Sequence, residues 1–127
     1  MWLCVMAACA GRLPTVAAPP ADVTGEWDVR WDRTWAGWQP PIFEGTLRVE
    51  GGGGGMVFRQ TSARLELDAV RVAGDRVQMA FHVDGRGERV DVAATVRDGR
   101  MSGELRWGDE VGWTPFAARR YAAAAMR

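Results

Sequence analysis

The chain of 127 residues has the length of a single domain, and its 16 arginines balance 16 aspartates and glutamates, with no lysine present. This balance leaves no positive excess that would attract a phosphate backbone, so nucleic acid is excluded as an expected partner. The two cysteines, Cys4 and Cys9, precede the patterned part of the chain, which therefore cannot be cross-linked by a disulfide.

Residues 1–9 form an apolar run that is much shorter than the ~20 residues needed to span a bilayer as a helix. Its end, Ala7-Ala8-Cys9, resembles a bacterial lipobox, although Met6 stands where Leu is usual. The resemblance implies that Cys9 is lipidated and becomes the mature N-terminus, in the bacterial cell envelope. An unprocessed apolar leader is the alternative. Residues 10–23, with two proline clusters and no periodicity, predict a tether.

From Thr24 onward, apolar and polar residues alternate with a period of two, as in half-buried β-strands. Trp27, Val29 and Trp31 share one face of the first segment, and the last segments repeat the pattern most regularly. The predicted strands are Thr24–Trp31, Ile42–Glu50, Met56–Thr61, Arg64–Val72, Val77–Val83, Val90–Val96, Met101–Trp107 and Trp113–Tyr121.

The connections between these strands are short, which favours antiparallel neighbours. The glycine run Gly51–Gly55 predicts a turn, and a change of phase near Asp68–Ala69 predicts a β-bulge. An all-β, eight-stranded antiparallel meander removes its edges by closing into an up-and-down barrel, whose interior holds side chains or one small ligand. The barrel domain is predicted over residues 24–121, followed by a tail at 122–127.

The tripeptide Gly25-Glu26-Trp27 at the start of the first strand resembles the Gly-x-Trp signature of lipocalin-like (calycin-type) barrels. The resemblance implies that Trp27 closes the barrel floor and stacks on an arginine of the last strand. Arg120 fits better than Arg119, because it shares its parity with the inward Phe116. Gly25, Trp27 and Arg120 would then form a structural clamp, with a cation–π energy of ~0.5–2 kcal/mol.

If Trp27 lies at the floor, a meander places the loop Asp32–Pro41 and the turn Gly108–Gly112 at the opposite end, the mouth. Five of the seven tryptophans fall at or near that end, above an apolar interior. The predicted ligand-binding residues are Trp31, Trp35, Trp38, Trp107 and Trp113, with Met79, Phe81 and Leu105 beneath them. The expected ligand is an apolar or amphipathic small molecule or lipid, which Asp109 or Glu110 could orient.

Two alternatives remain open from the residues. The indoles could fill a barrel that has no cavity, or the chain could be a lipid-anchored envelope module that contacts a protein partner through exposed tryptophans. An enzyme is not expected, since the body offers one histidine, no cysteine and scattered acids. No cofactor is expected, and His82, which has outward parity, lacks the partners that a metal site requires. The only expected membrane contact is the lipid anchor.

Overall fold

Eight strands follow one another around a closed barrel, each antiparallel to both neighbours, with the last strand returning to the first. The computed structural model describes residues 20–34, 37, 39–51, 53–85, 87–108 and 112–121. The strands are β1 Gly25–Asp32, β2 Ile42–Glu50, β3 Gly53–Phe58, β4 Arg64–Ala73, β5 Arg76–Val83, β6 Arg89–Arg97, β7 Arg100–Trp107 and β8 Thr114–Arg120. The predicted all-β barrel is confirmed.

The predicted leader, most of the predicted tether, and the predicted tail lie outside the described residues, and so does Cys9. No helix in the described part of the chain is long and apolar enough to cross a membrane.

The alternation seen in the sequence sorts side chains between the interior and the outer wall. Val90 and Val92 of β6 are 0% and 1% exposed, whereas Arg89 and Arg97, the first and last residues of the same strand, are open to solvent. The predicted bulge is present in β4: Leu67 lies opposite Phe81 and Ala69 opposite Ala80, so Asp68 is the extra residue. The bulge keeps the apolar residues on both sides of it directed inward despite the change of phase.

The glycine run Gly51–Gly55 was predicted to be one turn, but in the structure most of it is strand. Gly53–Gly55 already belong to β3, which ends at Phe58 and not at Thr61. A Cβ on Gly54 would lie 2.0 Å from the carbonyl oxygen of Arg48, so only glycine lets the two strands approach this closely. The hydrogen bonds between β2 and β3 join backbone groups only. The glycines can therefore extend the sheet although they have no side chains.

A short segment before β1 crosses the floor of the barrel. The Ala21 N–H donates to the Gly74 carbonyl at 2.9 Å, and Val23 is only 5% exposed. The Trp27 Nε1–H donates to the Val23 carbonyl at 3.0 Å. Residues 20–23 were assigned to the tether, but here they belong to the barrel, because Val23 completes the core beneath Trp27.

Candidate functional site

An aromatic cluster closes the mouth of the barrel. Trp31 is 2% exposed and its ring stacks on Trp107, with centroids 5.5 Å apart and an interplanar angle of 12°. Phe43 meets the Trp31 ring edge-on at 5.7 Å, and Phe58 lies at 6.0 Å. These are the offset and edge geometries that aromatic pairs favour, so the cluster is a packed plug.

Hydrogen bonds hold both indoles of the plug in place. The Trp31 Nε1–H donates to Thr114 Oγ1 at 2.5 Å, and the hydroxyl of Thr114 donates to the Leu105 carbonyl at 3.3 Å. The Trp107 Nε1–H donates to Glu88 Oε1 at 3.1 Å. Because a buried N–H without an acceptor is costly, these bonds fix the orientation of each ring.

Arg33 lies over the plug from the loop that follows β1. Its guanidinium carbon is 3.8 Å from the Phe43 ring centroid and 5.5 Å from that of Trp31, and its Nη2 donates to the Pro40 carbonyl. Only 8% of the residue is exposed, and this burial lowers the pKa of its guanidinium. A cation over an aromatic face in such a desolvated position stabilises the closed mouth.

The interior below the plug is filled by side chains. Met79, Phe81 and Leu105, which were predicted to line a ligand cavity, are 2%, 0% and 0% exposed. A side chain with no exposed surface has no water-sized space beside it, so these three residues pack against other core residues. The structure brings Trp31, Met79, Phe81 and Leu105 into one buried core, and the partly buried Trp107 packs against it.

Trp113 does not join this core. Thr114 is buried with inward parity, so Trp113 before it turns to the outer wall, where the Arg106 guanidinium carbon is 5.0 Å from its ring centroid. Its predicted role in ligand binding at the mouth stays a prediction, and its ring lies apart from the stacked pair of Trp31 and Trp107. Two other predicted mouth tryptophans, Trp35 and Trp38, lie outside the described residues, as do the predicted orienting acids, Asp109 and Glu110.

The floor of the barrel is closed by a second set of contacts, around Arg120 and Trp27. The Arg120 guanidinium carbon lies 4.3 Å from the Trp27 ring centroid, and its two terminal nitrogens donate to the carbonyls of Thr24 and Asp22, each at 2.7 Å. Gly25 has a φ of +122°, and a Cβ there would lie 3.2 Å from Arg120 Nη1. Arg119 is exposed on the outer wall, so Arg120 fills the position that the Gly-x-Trp resemblance implies.

The acidic side chains and the histidine of the described residues are dispersed and form no metal-binding cluster. No three His, Cys, Asp or Glu side chains come together in this part of the chain. His82 faces outward as predicted, with its Nδ1 2.7 Å from Asp68 Oδ1 on the bulge. Hydrogen bonds from Thr24 and Thr34 hold the pKa values of Asp22 and Asp32 below their usual range, as expected for carboxylates that cap turns.

Sequence reasoning missed the polar partners of the plug. Thr114 carried a signal, because a hydroxyl residue in phase with the inward Phe116 indicates a buried hydrogen bond. Arg33 and Glu88 carried no such signal, since both lie in connections between strands, where sequence parity does not predict whether a side chain points inward or outward.

This chain shares its fold with a bacterial protein. The crystal structure of Treponema pallidum Tp0751 (Pallilysin) matches it with a TM-score of 0.55 over 95% of this chain and 98% of that chain. The two sequences are 10% identical, so the likeness concerns the fold alone. No protein-family model and no curated protein matches the sequence.

Proposed function

We propose that this protein is a non-enzymatic module of the bacterial cell envelope, anchored by lipid on Cys9, whose filled barrel is a scaffold and whose outer surface makes the functional contacts. The observation that carries the scaffold is the packed interior, with Phe81 and Leu105 fully buried beneath the stacked Trp31–Trp107 pair. A barrel that binds a ligand inside needs a cavity at that place.

The Gly-x-Trp motif and the Arg120 contact with Trp27 support membership of the lipocalin-like barrels as part of this proposal. The likeness to lipocalins would then lie in how the floor is closed, and not in ligand storage. Small-molecule binding at the mouth, the function first predicted, would require Trp107 to leave Trp31 and give up its hydrogen bond to Glu88.

A fluorescence titration tests the filled interior. Fatty acids and aromatic probes are added to the protein, and tryptophan emission is followed, with Trp113→Phe as a control that removes the described outer-wall indole. We expect no saturable change in emission. A saturable shift that persists in Trp113→Phe would place a ligand at the plug and overturn the scaffold.

The anchor is tested separately in a bacterial host by metabolic labelling with a palmitate analogue. We expect label on the wild type and on Cys4→Ala, and none on Cys9→Ala, which should leave the membrane fraction. Equal labelling of Cys4→Ala and Cys9→Ala, or an unlabelled wild type, would contradict a lipid on Cys9.

A further inference from the structure

The strands β3 and β4 pair with each other only near the mouth. Residues 55–57 of β3 lie opposite residues 64–66 of β4. β3 begins at Gly53, whereas β4 continues as far as Ala73. Residues 69–73 of β4 are therefore paired with β5 on one side and with no described strand on the other. We call residues 69–73 the free edge of β4.

The free edge presents backbone groups that pair with no other strand among the described residues. The Asp84 N–H donates to the Arg64 carbonyl at 2.8 Å, so the outward residues of β4 direct their backbone groups to the side of β5. Backbone groups point to alternate sides along a strand, in step with the side chains. Below the bulge, Val70 and Val72 have inward side chains, so their N–H and C=O groups point away from β5. Two donors and two acceptors at strand spacing are thus open to a further strand.

The inward side chains of the free edge show that the wall is incomplete beside them. Val70 and Val72 are only partly buried. Their direct partners on β5, Met79 and Val77, are 2% and 1% exposed. Because β5 covers one side of each valine, the exposure of Val70 and Val72 arises on the side where β3 is missing. The first residue of β3, Gly53, has no side chain that could fill this gap.

The entry segment of the chain already bonds to the end of this edge. The Ala21 N–H donates at 2.9 Å to the carbonyl of Gly74, directly after β4. Residues 1–19 lie outside the described part of the chain, and they join it here. The two residues before Ala21 are Pro19 and Pro20, which have no N–H to donate. The structure thus shows that this edge accepts a backbone donor, but the chain itself cannot continue the ladder without interruption.

The charges around the free edge favour one kind of strand. Arg71, at its centre, is exposed on the outer wall, and its direct partner on β5 is the neutral Gln78. The acids near the free edge are Glu50, Glu66, Asp68 and Asp75. Three of them already contact a basic side chain other than Arg71, at 2.7 to 3.7 Å, and Glu66 lies in the part of β4 that β3 covers. A carboxylate on an added strand would therefore gain a cross-strand ion pair with Arg71.

From these observations we infer that the free edge of β4 binds an extended segment of a partner protein, which adds to the barrel as a short strand. The inference rests on the proposed function, in which the outer surface makes the functional contacts, and names the kind of partner. Apolar side chains of the segment lie beside Val70 and Val72, and a carboxylate between them lies beside Arg71. Backbone hydrogen bonds supply the affinity and the side chains supply the selectivity.

A second copy of this chain fits the free edge less well than such a segment. Two free edges related by a two-fold axis at their centres would place two Arg71 side chains opposite each other. Cross-strand pairs of like charge destabilise a sheet. The gap also lies between two strands of one barrel wall, where a single extended chain enters more easily than a second barrel.

Peptide binding to the full chain, followed by the NMR signals of its backbone amides, tests the inference. The probe is the capped pentapeptide threonine-valine-glutamate-valine-threonine. One control peptide has lysine in place of glutamate, and another has every backbone N–H methylated. The test variant of the protein is Arg71→Glu. The matched control is Arg64→Glu, which makes the same change on the same strand where β3 covers it.

We expect saturable shifts at the amides of Val70 and Val72, and binding of the methylated peptide that is weaker by about tenfold or more. The wild type and Arg64→Glu should prefer the glutamate peptide over the lysine peptide by up to about fivefold, and Arg71→Glu should reverse this preference. Urea midpoints of both variants verify that they are folded.

No saturable binding, equal binding of the methylated peptide, or the same charge preference in both variants would overturn strand addition at the free edge. Hydrogen exchange of the free protein tests the other occupants. Protection of the Val70 and Val72 amides that is lost on deletion of residues 1–18 would mean that the chain itself covers the edge, and protection that rises with protein concentration would mean that a second copy does. Either result overturns the inference.

The experiments on the proposed function fail separately from this one. An unchanged tryptophan emission in the titration with fatty acids, together with no peptide binding, contradicts only the strand addition. Peptide binding by a protein that takes no palmitate label contradicts only the anchor.

Discussion

Replacing Arg120 by alanine removes three interactions at the floor in a single step. The guanidinium group lies 4.3 Å from the Trp27 ring centroid and donates to two backbone carbonyls, those of Thr24 and Asp22. The cation–π contact is worth ~0.5–2 kcal/mol, and each charge-assisted hydrogen bond ~1.5–3 kcal/mol. Water can replace the bonds to these two exposed residues, so we take the lower end and expect a total loss of about 2–4 kcal/mol.

The loss is a large part of the stability of a domain this size, which is typically ~5–15 kcal/mol. It should lower the melting temperature by about 8 °C or more, at ~4–8 °C per kcal/mol. Urea unfolding followed by tryptophan emission measures the change in the free energy of unfolding. Arg120→Lys should be intermediate, because lysine keeps the cation but cannot donate to both carbonyls in a fixed fork.

Arg119→Ala is the matched control, since Arg119 is the neighbouring residue on the same strand but points to solvent. Its effect should stay within ~0.5 kcal/mol. If Arg119→Ala and Arg120→Ala unfold at the same urea concentration, the floor clamp does not contribute to stability and the reasoning above is refuted.

Three further predictions concern the plug, the strand approach and the floor segment. Thr114→Val removes the acceptor of the buried Trp31 Nε1–H, so it should lower the free energy of unfolding by about 1–3 kcal/mol and shift the tryptophan emission. An unchanged free energy of unfolding would mean that the indole N–H has another hydrogen-bond acceptor. Gly103→Ala should destabilise by more than ~2 kcal/mol in urea, because its Cβ would lie 2.0 Å from a carbonyl oxygen of β6, whereas Gly51→Ala, with open space, should be nearly neutral. Hydrogen bonds from Thr24 hold the pKa of Asp22 below its ordinary value of 3.8. The stabilisation by the ionised carboxylate is therefore complete above that pH and is lost as the pH falls through the lowered pKa. Asp22→Asn should make the free energy of unfolding less dependent on pH below about pH 3.8, and an unchanged pH dependence would contradict this.

Strand positions could be predicted because a period of two directly reports which face of a strand is buried. β2 begins and ends where predicted, at Ile42 and Glu50, and the bulge at Asp68 followed from one phase change. The glycine run could not be assigned correctly, because glycine carries no hydrophobic signal and its role here depends on how close β2 passes.

The candidate site shows the same division. Parity predicted that Trp31 and Phe81 point inward, but it does not say whether eight inward rows leave a void between them. That depends on the volumes of side chains from opposite strands, such as Phe43, Phe58 and Trp107, which only closure of the barrel brings together.

What the sequence alone determined is the register of inside and outside along each strand and the single-domain barrel, because both follow from local alternation and chain order. The pairing of Trp27 with an arginine of the last strand was implied by the Gly-x-Trp resemblance. Tertiary structure decided that Met79, Phe81 and Leu105 are packed in the core beneath Trp31, and that residues 20–23 close the floor. Each of these depends on distances between residues far apart in the chain, which a one-dimensional pattern does not encode.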